Sequence, residues 1–246
     1  MIPVAPALLV QARRLRRTAL ILPEADRPWS GHVSAGTGTD AAPLRLLVLG
    51  DSTAAGVGVR SQDAALPGNL ARLLAARLDR RIDWTTIGES GATTRDVVER
   101  FLAEAERETY DIVFVSLGAN DALGLRSRGA FRRDIRSILE RLRERNPGAR
   151  ILMSSLPAFF RFALLPNPLR WNLYLHSRSL EDAARQLVAG LPLVAMSPPP
   201  PPYTEGFFAS DLFHPSDIGY RDWAQFAIDD AFDSGFLDSG FYEVDR

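Results

Sequence analysis

The sequence has no cysteine and no excess of charge of either sign. The lack of cysteine excludes disulfide bonds, thiolate nucleophiles and zinc sites built from cysteine. Lys plus Arg number 29 and Asp plus Glu number 30, so no global field attracts nucleic acid, and we predict no nucleic-acid partner. Only three histidines occur, His32, His176 and His214. Because none of them belongs to a spaced ligand cluster, we also predict no metal.

Long hydrophobic runs are missing as well. The apolar stretch at the amino terminus, "MIPVAPALLV", is far shorter than the roughly 20 residues of a membrane span. It also precedes its arginines, whereas a secretory signal places positive charge first. We therefore expect a cytoplasmic protein. One face of a short helix could be lined by Leu8, Leu9, Ala12 and Leu15. Packing of that face on the domain is favoured over contact with a membrane surface.

The chain of 246 residues, 46% of them hydrophobic, is long enough for one sizeable core. From Leu44 onward, short apolar runs alternate with longer amphipathic ones, a pattern that predicts a parallel sheet covered by helices. The predicted strands are 44–49, 82–87, 111–117, 150–155 and 191–195. Residues 44–246 are predicted to form this domain, and residues 1–43 an extension packed on it. Within the extension, residues 25–43 are rich in turn-forming types and predict a loop.

Polar motifs follow the first three predicted strands and recur late in the chain. "GDS" contains Ser52, "GESGATT" contains Gly91, "LGAND" contains Asn120, and "DLFHPSD" contains Asp211 and His214. Ligands of doubly wound sheets bind beyond the carboxyl ends of the strands. A serine nucleophile needs an adjacent base, and the base needs a carboxylate that fixes its tautomer. We therefore predict Ser52 as nucleophile, His214 as base and Asp211 as its orienting carboxylate.

A tetrahedral intermediate also requires donors directed at its oxyanion. The backbone N–H groups of Ser52 and Gly91 and the side-chain amide of Asn120 could converge there, one from each of three strand ends. Without a Cβ, the N–H of Gly91 could approach the reacting carbon closely. Asp51 is assigned a structural role in tying down the turn before Ser52.

These four blocks, in this order, resemble the SGNH/GDSL hydrolases. The match covers roughly residues 44–231: Ser52 in "GDS", Gly91 in "SGATT", Asn120 in "GAND", and Asp211 with His214 in "DLFH". The resemblance implies a flavodoxin-like three-layer α/β/α sandwich with a five-stranded parallel sheet of order 2-1-3-4-5. It also implies hydrolysis of carboxylic esters without a metal. Where the usual second block has asparagine two residues before the glycine, this chain has Glu89.

Two further segments are candidates for substrate or partner contacts. "LPAFFRFALLPNPLRW", residues 156–171, follows the fourth predicted strand and could line an acyl pocket through Phe159, Phe160 and Phe162. A subunit interface and plain core packing are the alternatives. "SPPPPPY", residues 197–203, predicts an extended segment. We favour a rigid spacer over an SH3-type ligand.

The function that these residues predict is a serine esterase acting on small, short-acyl esters through an acyl-enzyme. "STAAGVGVR" lacks both the phosphate-loop and the dinucleotide fingerprint, so we predict no nucleotide cofactor. A carbohydrate deacetylase, a thioesterase and a lysophospholipase would share the mechanism and remain alternatives. A non-catalytic binding module is the alternative from another class, and the five filled catalytic positions argue against it.

Overall fold

The computed structural model describes residues 4–34 and 42–238. Its sheet has six strands in the order β1-β3-β2-β4-β5-β6. The strands are β1 Ser30–Val33, β2 Leu44–Gly50, β3 Ile82–Gly88, β4 Ile112–Ser116, β5 Arg150–Met153 and β6 Val194–Met196. Strands β2 to β6 are parallel. Numbered among themselves, these five follow the predicted order 2-1-3-4-5, and the predicted α/β class is confirmed.

Helices cover both faces of this sheet. The α-helices are α1 Val4–Thr18, α2 Leu66–Leu78, α3 Thr94–Asp96, α4 Leu102–Ala105, α5 Ala119–Leu123, α6 Arg128–Arg145, α7 Leu169–Val188 and α8 Asp217–Asp233. A π-helical turn, Val97–Phe101, joins α3 to α4, and a 3-10 turn, Phe159–Arg161, precedes α7.

Strand β2 divides its apolar side chains between the two cores because successive residues of a strand point to opposite faces. Leu47 and Leu49 pack in one buried cluster with the apolar faces of α6 and α7. Leu46 and Val48 pack in the other with α2 and α8. The result is the predicted three-layer sandwich.

The edge strand β1 corrects the prediction for residues 25–43. That segment is not all loop, because Ser30–Val33 runs antiparallel to β3, with Val33 opposite Ile82. The sheet therefore has six strands rather than five. Four residues, "SGHV", carry no apolar run and are too short to show the alternation that marks a strand.

Helix α1 packs against the domain through Leu8, Ala12 and Leu15, which contact the core on the α6/α7 side of the sheet. The side chain of Gln11 bonds the O atom of Asn167 at 2.7 Å and the N–H of Leu169 at 3.2 Å. The expectation that Leu9 shares the packed face is wrong, because it is 59% exposed. Positions 8, 12 and 15 repeat at helical spacing, whereas position 9 lies about 100° around the helix from position 8. Among the described residues, no helix is long and apolar enough to cross a membrane.

The carboxyl ends of β2, β3 and β4 meet at one edge of the sheet. Gly50 is the last residue of β2 and pairs with Gly88 of β3 and Ser116 of β4. A Cβ added to Gly50 would lie 2.3 Å from the O atom of Ser116. Only glycine permits this approach, so the turn that carries Ser52 lies directly against the end of β4.

Candidate active site

Ser52, His214 and Asp211 form a continuous hydrogen-bonded chain. The Nε2 atom of His214 lies 2.9 Å from the Oγ atom of Ser52. Its Nδ1 atom lies 2.6 Å from Oδ2 of Asp211. Ser52 comes from the turn after β2, and the other two residues come from the loop that precedes α8. The structure thus brings together two segments that are 162 residues apart in sequence.

Local backbone bonds fix the loop that carries His214. Oδ1 of Asp211 accepts the N–H groups of Phe213 and His214, both at 3.0 Å. The N–H of Ala209 donates to the O atom of His214 at 2.8 Å, and Phe208 and Pro215 form an antiparallel bridge. Asp211 is 6% exposed. Its carboxylate therefore holds both the loop backbone and the imidazole.

Asp51 ties down the turn before Ser52. Its Oδ1 atom accepts the N–H of Thr53 at 3.1 Å and the hydroxyl of Thr53 at 3.0 Å. The Thr53 hydroxyl also lies 2.7 Å from Oγ of Ser116, at the end of β4. Burial raises the pKa of Asp51 from 3.8 to about 6, although the bonds from Thr53 oppose the change. These contacts are those expected of a structural residue.

The pKa of Asp51 predicts that Asp51→Asn stabilises the fold at high pH. The folded carboxyl binds its proton more tightly than the unfolded one, so stability falls as pH rises from 3.8 to about 6. Asparagine can accept both Thr53 bonds and has no charge to bury. Its free energy of unfolding should exceed that of the wild type by about 3 kcal/mol at pH 8 and by only about 0.5 kcal/mol at pH 4. Urea unfolding at the two pH values measures the difference, and an equal difference at both would contradict the assignment.

Gly91 has a backbone conformation that favours glycine, and no protein atom of the described ranges crowds it. Its φ is +87°, and an added Cβ would meet nothing within 4 Å. The left-handed φ is thus one physical reason for glycine at this position, and close approach of its N–H to the reacting carbon of a substrate stays a prediction. Within the described chain, the N–H groups of Ser52 and Gly91 donate to no other residue. Both remain available to a ligand.

Asn120 lies against the loop that carries Gly91. Its Nδ2 atom donates to the O atom of Ala92 at 3.0 Å, which uses one of the two amide hydrogens. The other remains for a ligand. The next residue, Asp121, is fully buried and accepts the N–H of Thr94 at 3.0 Å and the hydroxyl of Thr94 at 2.7 Å. Desolvation raises the pKa of Asp121.

Asp121 is a residue of the site region that the sequence reasoning did not single out. It belongs to the same "GAND" block as Asn120, and its bonds to Thr94 join the start of α5 to the start of α3. The only signal in the sequence was this adjacency. We infer that Asp121 fixes the position of Asn120 relative to the Gly91 loop.

Glu89, which stands where the usual second block has asparagine, makes contacts near the surface. Its carboxylate forms two hydrogen bonds with the guanidinium of Arg100, and this pairing lowers the pKa of Glu89. The turn keeps a backbone bond from the N–H of Ala92 to the O atom of Glu89, at 3.1 Å. Oε1 of Glu24 accepts the N–H of Ser90 at 2.7 Å. A residue of the amino-terminal extension thus supports the Gly91 loop.

A cavity of about 140 Å³ opens beside Ser52 and His214. Its walls are mostly apolar and include Phe162, Phe208, Phe213, Trp223 and the prolines 200–202. Tyr203 also lines it, and burial raises the pKa of Tyr203 to about 12. This phenol stays neutral at ordinary pH, so it adds no charge to the wall.

Of the three phenylalanines predicted to line an acyl pocket, Phe162 lines the cavity beside Ser52, whereas Phe160 lines a second, neighbouring cavity. Phe159 is fully buried in the core. Phe160 lies outside the cavity beside Ser52, and its ring stacks on Trp171 at 5.8 Å and contacts Tyr174 edge-on at 4.6 Å. The prediction is therefore wrong for Phe159 and Phe160.

The proline run was interpreted as a rigid spacer, but its residues 200–202 form part of the cavity wall. Nothing in the sequence around these prolines indicates that they lie near Ser52, His214 and Asp211. Among the other histidines, His32 is exposed on β1 and His176 lies within α7. In the described ranges, no three or more acidic or histidine side chains are grouped as metal ligands would be.

Comparison with known proteins connects these residues to a family. The model of the GDSL-like Lipase/Acylhydrolase family matches residues 48–221, a span that contains all five residues assigned above. The chain is also 30% identical over 187 residues to the GDSL-like esterase Rv1075c of Mycobacterium tuberculosis. That alignment covers 72% of this chain and 58% of the relative, so the chain spans less than two thirds of that protein's length.

Solved structures show the same fold at lower identity. A lipase/acylhydrolase from Enterococcus faecalis is 21% identical, with a TM-score of 0.58, over 78% of this chain and 97% of that one. A family 3 carbohydrate esterase from Clostridium thermocellum is 17% identical, with a TM-score of 0.61, over 78% and 97% of the two chains. At such identities the likeness shows the fold alone.

Proposed function

The chain belongs to the GDSL-like lipase/acylhydrolase family, and on this premise we propose that it is a serine esterase that hydrolyses small, short-acyl carboxylic esters. The observation that carries the proposal is the chain of hydrogen bonds from Ser52 through His214 to Asp211. It lies beside a cavity with apolar walls. A nucleophile, a base and a place for an acyl group therefore occur together.

In the proposed reaction, Ser52 Oγ attacks the ester carbonyl while its proton passes to Nε2 of His214, which lies 2.9 Å away. The imidazolium then protonates the leaving alcohol as the tetrahedral intermediate breaks down to an acyl-enzyme. Nε2 then takes a proton from a water molecule as the water attacks the acyl-enzyme, and it returns that proton to Oγ of Ser52 as the bond from Oγ to the acyl carbon breaks and the acid is released. Asp211 keeps the proton of the neutral imidazole on Nδ1 and stabilises the imidazolium.

The negative charge on the carbonyl oxygen needs donors that are already in place. We assign this role to the N–H groups of Ser52 and Gly91 and to Nδ2 of Asn120. Two observations support the assignment: neither backbone N–H has an acceptor in the described part of the chain, and Asn120 contacts the Gly91 loop. Such donors act strongly because they need no reorganisation as charge develops.

Asn120→Ala is expected to lower kcat by about 10² to 10³, the usual effect of losing one oxyanion donor. The matched control is Asn172→Ala. Asn172 also donates its amide to a backbone O atom, that of Pro168 at 2.9 Å, but on α7. Steady-state kinetics on p-nitrophenyl butyrate measures both variants. A loss in kcat below about threefold for Asn120→Ala would remove Asn120 from this role.

The cavity favours an alkyl or aryl acyl group over a single acetyl group. An apolar cavity of about 150 Å³ can hold a benzene molecule, and the space beside Ser52 is about 140 Å³. An acetyl group would leave most of that space empty. This comparison ranks a short-acyl esterase above a carbohydrate deacetylase of the same mechanism.

The test is a time course with p-nitrophenyl acetate, butyrate, octanoate and palmitate, followed by intact-mass analysis after treatment with a fluorophosphonate probe. We expect the fastest turnover among the short esters and one probe adduct per chain. If the folded protein shows neither turnover nor adduct, the esterase proposal fails and the binding-module alternative gains support.

We further propose that residues 1–43 form an extension of a hydrolase domain spanning residues 44–246. Helix α1 packs on the α6/α7 side. The N–H of Ala25 donates to the O atom of Ala55 at 2.9 Å, in the turn that follows Ser52. The bond from Ser90 to Glu24 and these contacts join described residues of the extension to two loops of the proposed active site, and they support this division.

A further inference from the structure

The acyl cavity, as we call the cavity beside Ser52, has a second cavity directly behind one of its walls. The second cavity measures about 130 Å³. Leu156, Pro157 and Pro200 line both cavities, so these three residues form the partition between them. Removal of the partition would nearly double the space that a chain entering from Ser52 could fill.

Arg161 holds the proline side of this partition from behind. It lines the second cavity, and its Nη1 atom donates to the O atoms of Pro200 and Pro201, both at 2.6 Å. Its guanidinium also lies 5.1 Å from the ring centre of Phe160 and 5.8 Å from that of Tyr203. One side chain thus bonds to two consecutive carbonyls and contacts two aromatic rings.

A proline run depends on such anchors more than other segments do. Proline has no N–H to donate, and a polyproline segment has no internal hydrogen bonds. Only its carbonyls can be bonded from outside. At the start of the run, Nη2 of Arg185 donates to the O atom of Ser197 at 2.8 Å. Between Ser197 and Tyr203, Arg161 provides the hydrogen bonds that face the partition.

We propose that Arg161 determines the acyl-chain length this enzyme accepts, by holding Pro200 in the partition between the acyl cavity and the second cavity. The inference rests on the proposed esterase function. With the wall in place, a cavity of about 140 Å³ takes a tail of about six carbons. A longer tail that continues into the second cavity would have to displace the partition, which Arg161 holds through its bond to Pro200.

The acyl group, rather than the alcohol, is assigned to this cavity because of their different fates. The acyl group takes part in the transition states of both acylation and deacylation of Ser52, whereas the alcohol departs after the first. Binding energy from an apolar wall is useful when it acts on the group present in both transition states.

Two variants test the partition from its two sides. Arg161→Ala removes the bonds to the wall and empties volume in the second cavity, and Pro200→Ala removes the ring between the cavities. One methylene accommodated against an apolar wall changes kcat/KM by about 10-fold or more. The second cavity offers apolar walls at Leu156 and Pro157 beside polar ones at Arg178 and Glu181. For each variant, the ratio of kcat/KM for p-nitrophenyl decanoate to that for butyrate should therefore rise at least about tenfold. The change should appear chiefly as a lower KM for decanoate.

Arg178→Ala is the matched control. Arg178 lines the second cavity and bonds the hydroxyl of Tyr174. It has no hydrogen bond to the proline run in the described chain, so the decanoate-to-butyrate ratio should not change. Arg161→Lys retains a donor for the two carbonyls and should keep the short-chain preference.

The outcomes separate this inference from the function on which it rests. If the wild type hydrolyses no ester, the proposed function fails. If it hydrolyses butyrate but both partition variants keep the wild-type ratio, or lose activity equally at every acyl length, the role of Arg161 is overturned. The partition variants can also be assayed on acetate esters of alcohols of increasing length. If their kcat/KM ratio for long over short esters changes only in that series, the assignment of the cavity to the acyl group is overturned.

Discussion

Ser52→Ala is expected to lower kcat for p-nitrophenyl butyrate by about 10⁴ to 10⁶, because loss of a serine nucleophile removes the covalent route. The fluorophosphonate adduct should disappear in the same variant. His214 and Asp211 would remain, yet the base would have no hydroxyl within 2.9 Å to deprotonate. Steady-state kinetics and intact-mass analysis measure the two losses independently.

Folding should be unaffected, because the Ser52 hydroxyl has one hydrogen-bond partner among the described residues, Nε2 of His214. We expect the free energy of unfolding to stay within about 1 kcal/mol of the wild type. Ser127→Ala provides the opposite pattern. Oγ of Ser127 caps α6 by accepting the N–H of Ala130 at 3.2 Å, so its loss should cost about 1 kcal/mol of stability and no activity.

A Ser52→Ala protein that keeps more than about 1% of wild-type kcat would contradict the nucleophile assignment, since water alone in the intact site is not that efficient. Retention of the probe adduct would contradict it independently, because it would place the reactive group elsewhere. If the Ser52→Ala protein lost its cooperative unfolding transition together with its activity, the cause would be a folding defect. Ser127→Ala shows how much activity a small loss of stability alone removes.

The parts of the site that could be predicted from sequence are those fixed by short spacing or by strand topology. Asp211 and His214 are three residues apart and lie on one turn, so their contact is local. Ser52 is distant in sequence, but it follows a strongly apolar strand in a pattern typical of a parallel sheet. The rule that ligands gather at the carboxyl ends of such strands then brings it to the same place.

The cavity wall could not be predicted because its contacts carry no local signal. Arg161 meets Pro200 and Pro201 across about 40 residues, and nothing in "SPPPPPY" indicates which carbonyls will be bonded. The aromatic stretch was misassigned for a related reason. In a 3-10 turn, residues three apart share a side, so Phe159 and Phe162 lie together and Phe160 points elsewhere.

The edge strand and the Gly91 loop depend on tertiary contacts in the same way. "SGHV" has no strand pattern of its own and becomes β1 by pairing with β3. The sequence shows that Glu89 replaces an expected asparagine. It does not show that Arg100 pairs with Glu89 or that Glu24 bonds the adjacent N–H. Both partners come from segments outside the block.

Asp211→Asn is expected to lower kcat by about 10⁴, because it reverses the hydrogen bond that fixes the imidazole tautomer. In the wild type, Nδ1 of His214 donates to Oδ2 of Asp211 at 2.6 Å, which leaves Nε2 free to accept the serine proton. Asparagine can keep Oδ1 for the N–H groups of Phe213 and His214. Its amide nitrogen would then replace Oδ2 and donate to Nδ1, so Nε2 would carry the hydrogen and could not act as a base.

The variant separates orientation of the base from support of the loop. Because the two backbone bonds to Oδ1 survive, thermal unfolding should change little while kcat falls. Asp229→Asn is the control, since Asp229 accepts bonds from Gln225 and Arg77 at the surface between α2 and α8. Its kcat should match that of the wild type. A loss below about tenfold for Asp211→Asn would mean that His214 keeps a productive tautomer without the carboxylate, and Asp211 would then be a loop residue alone.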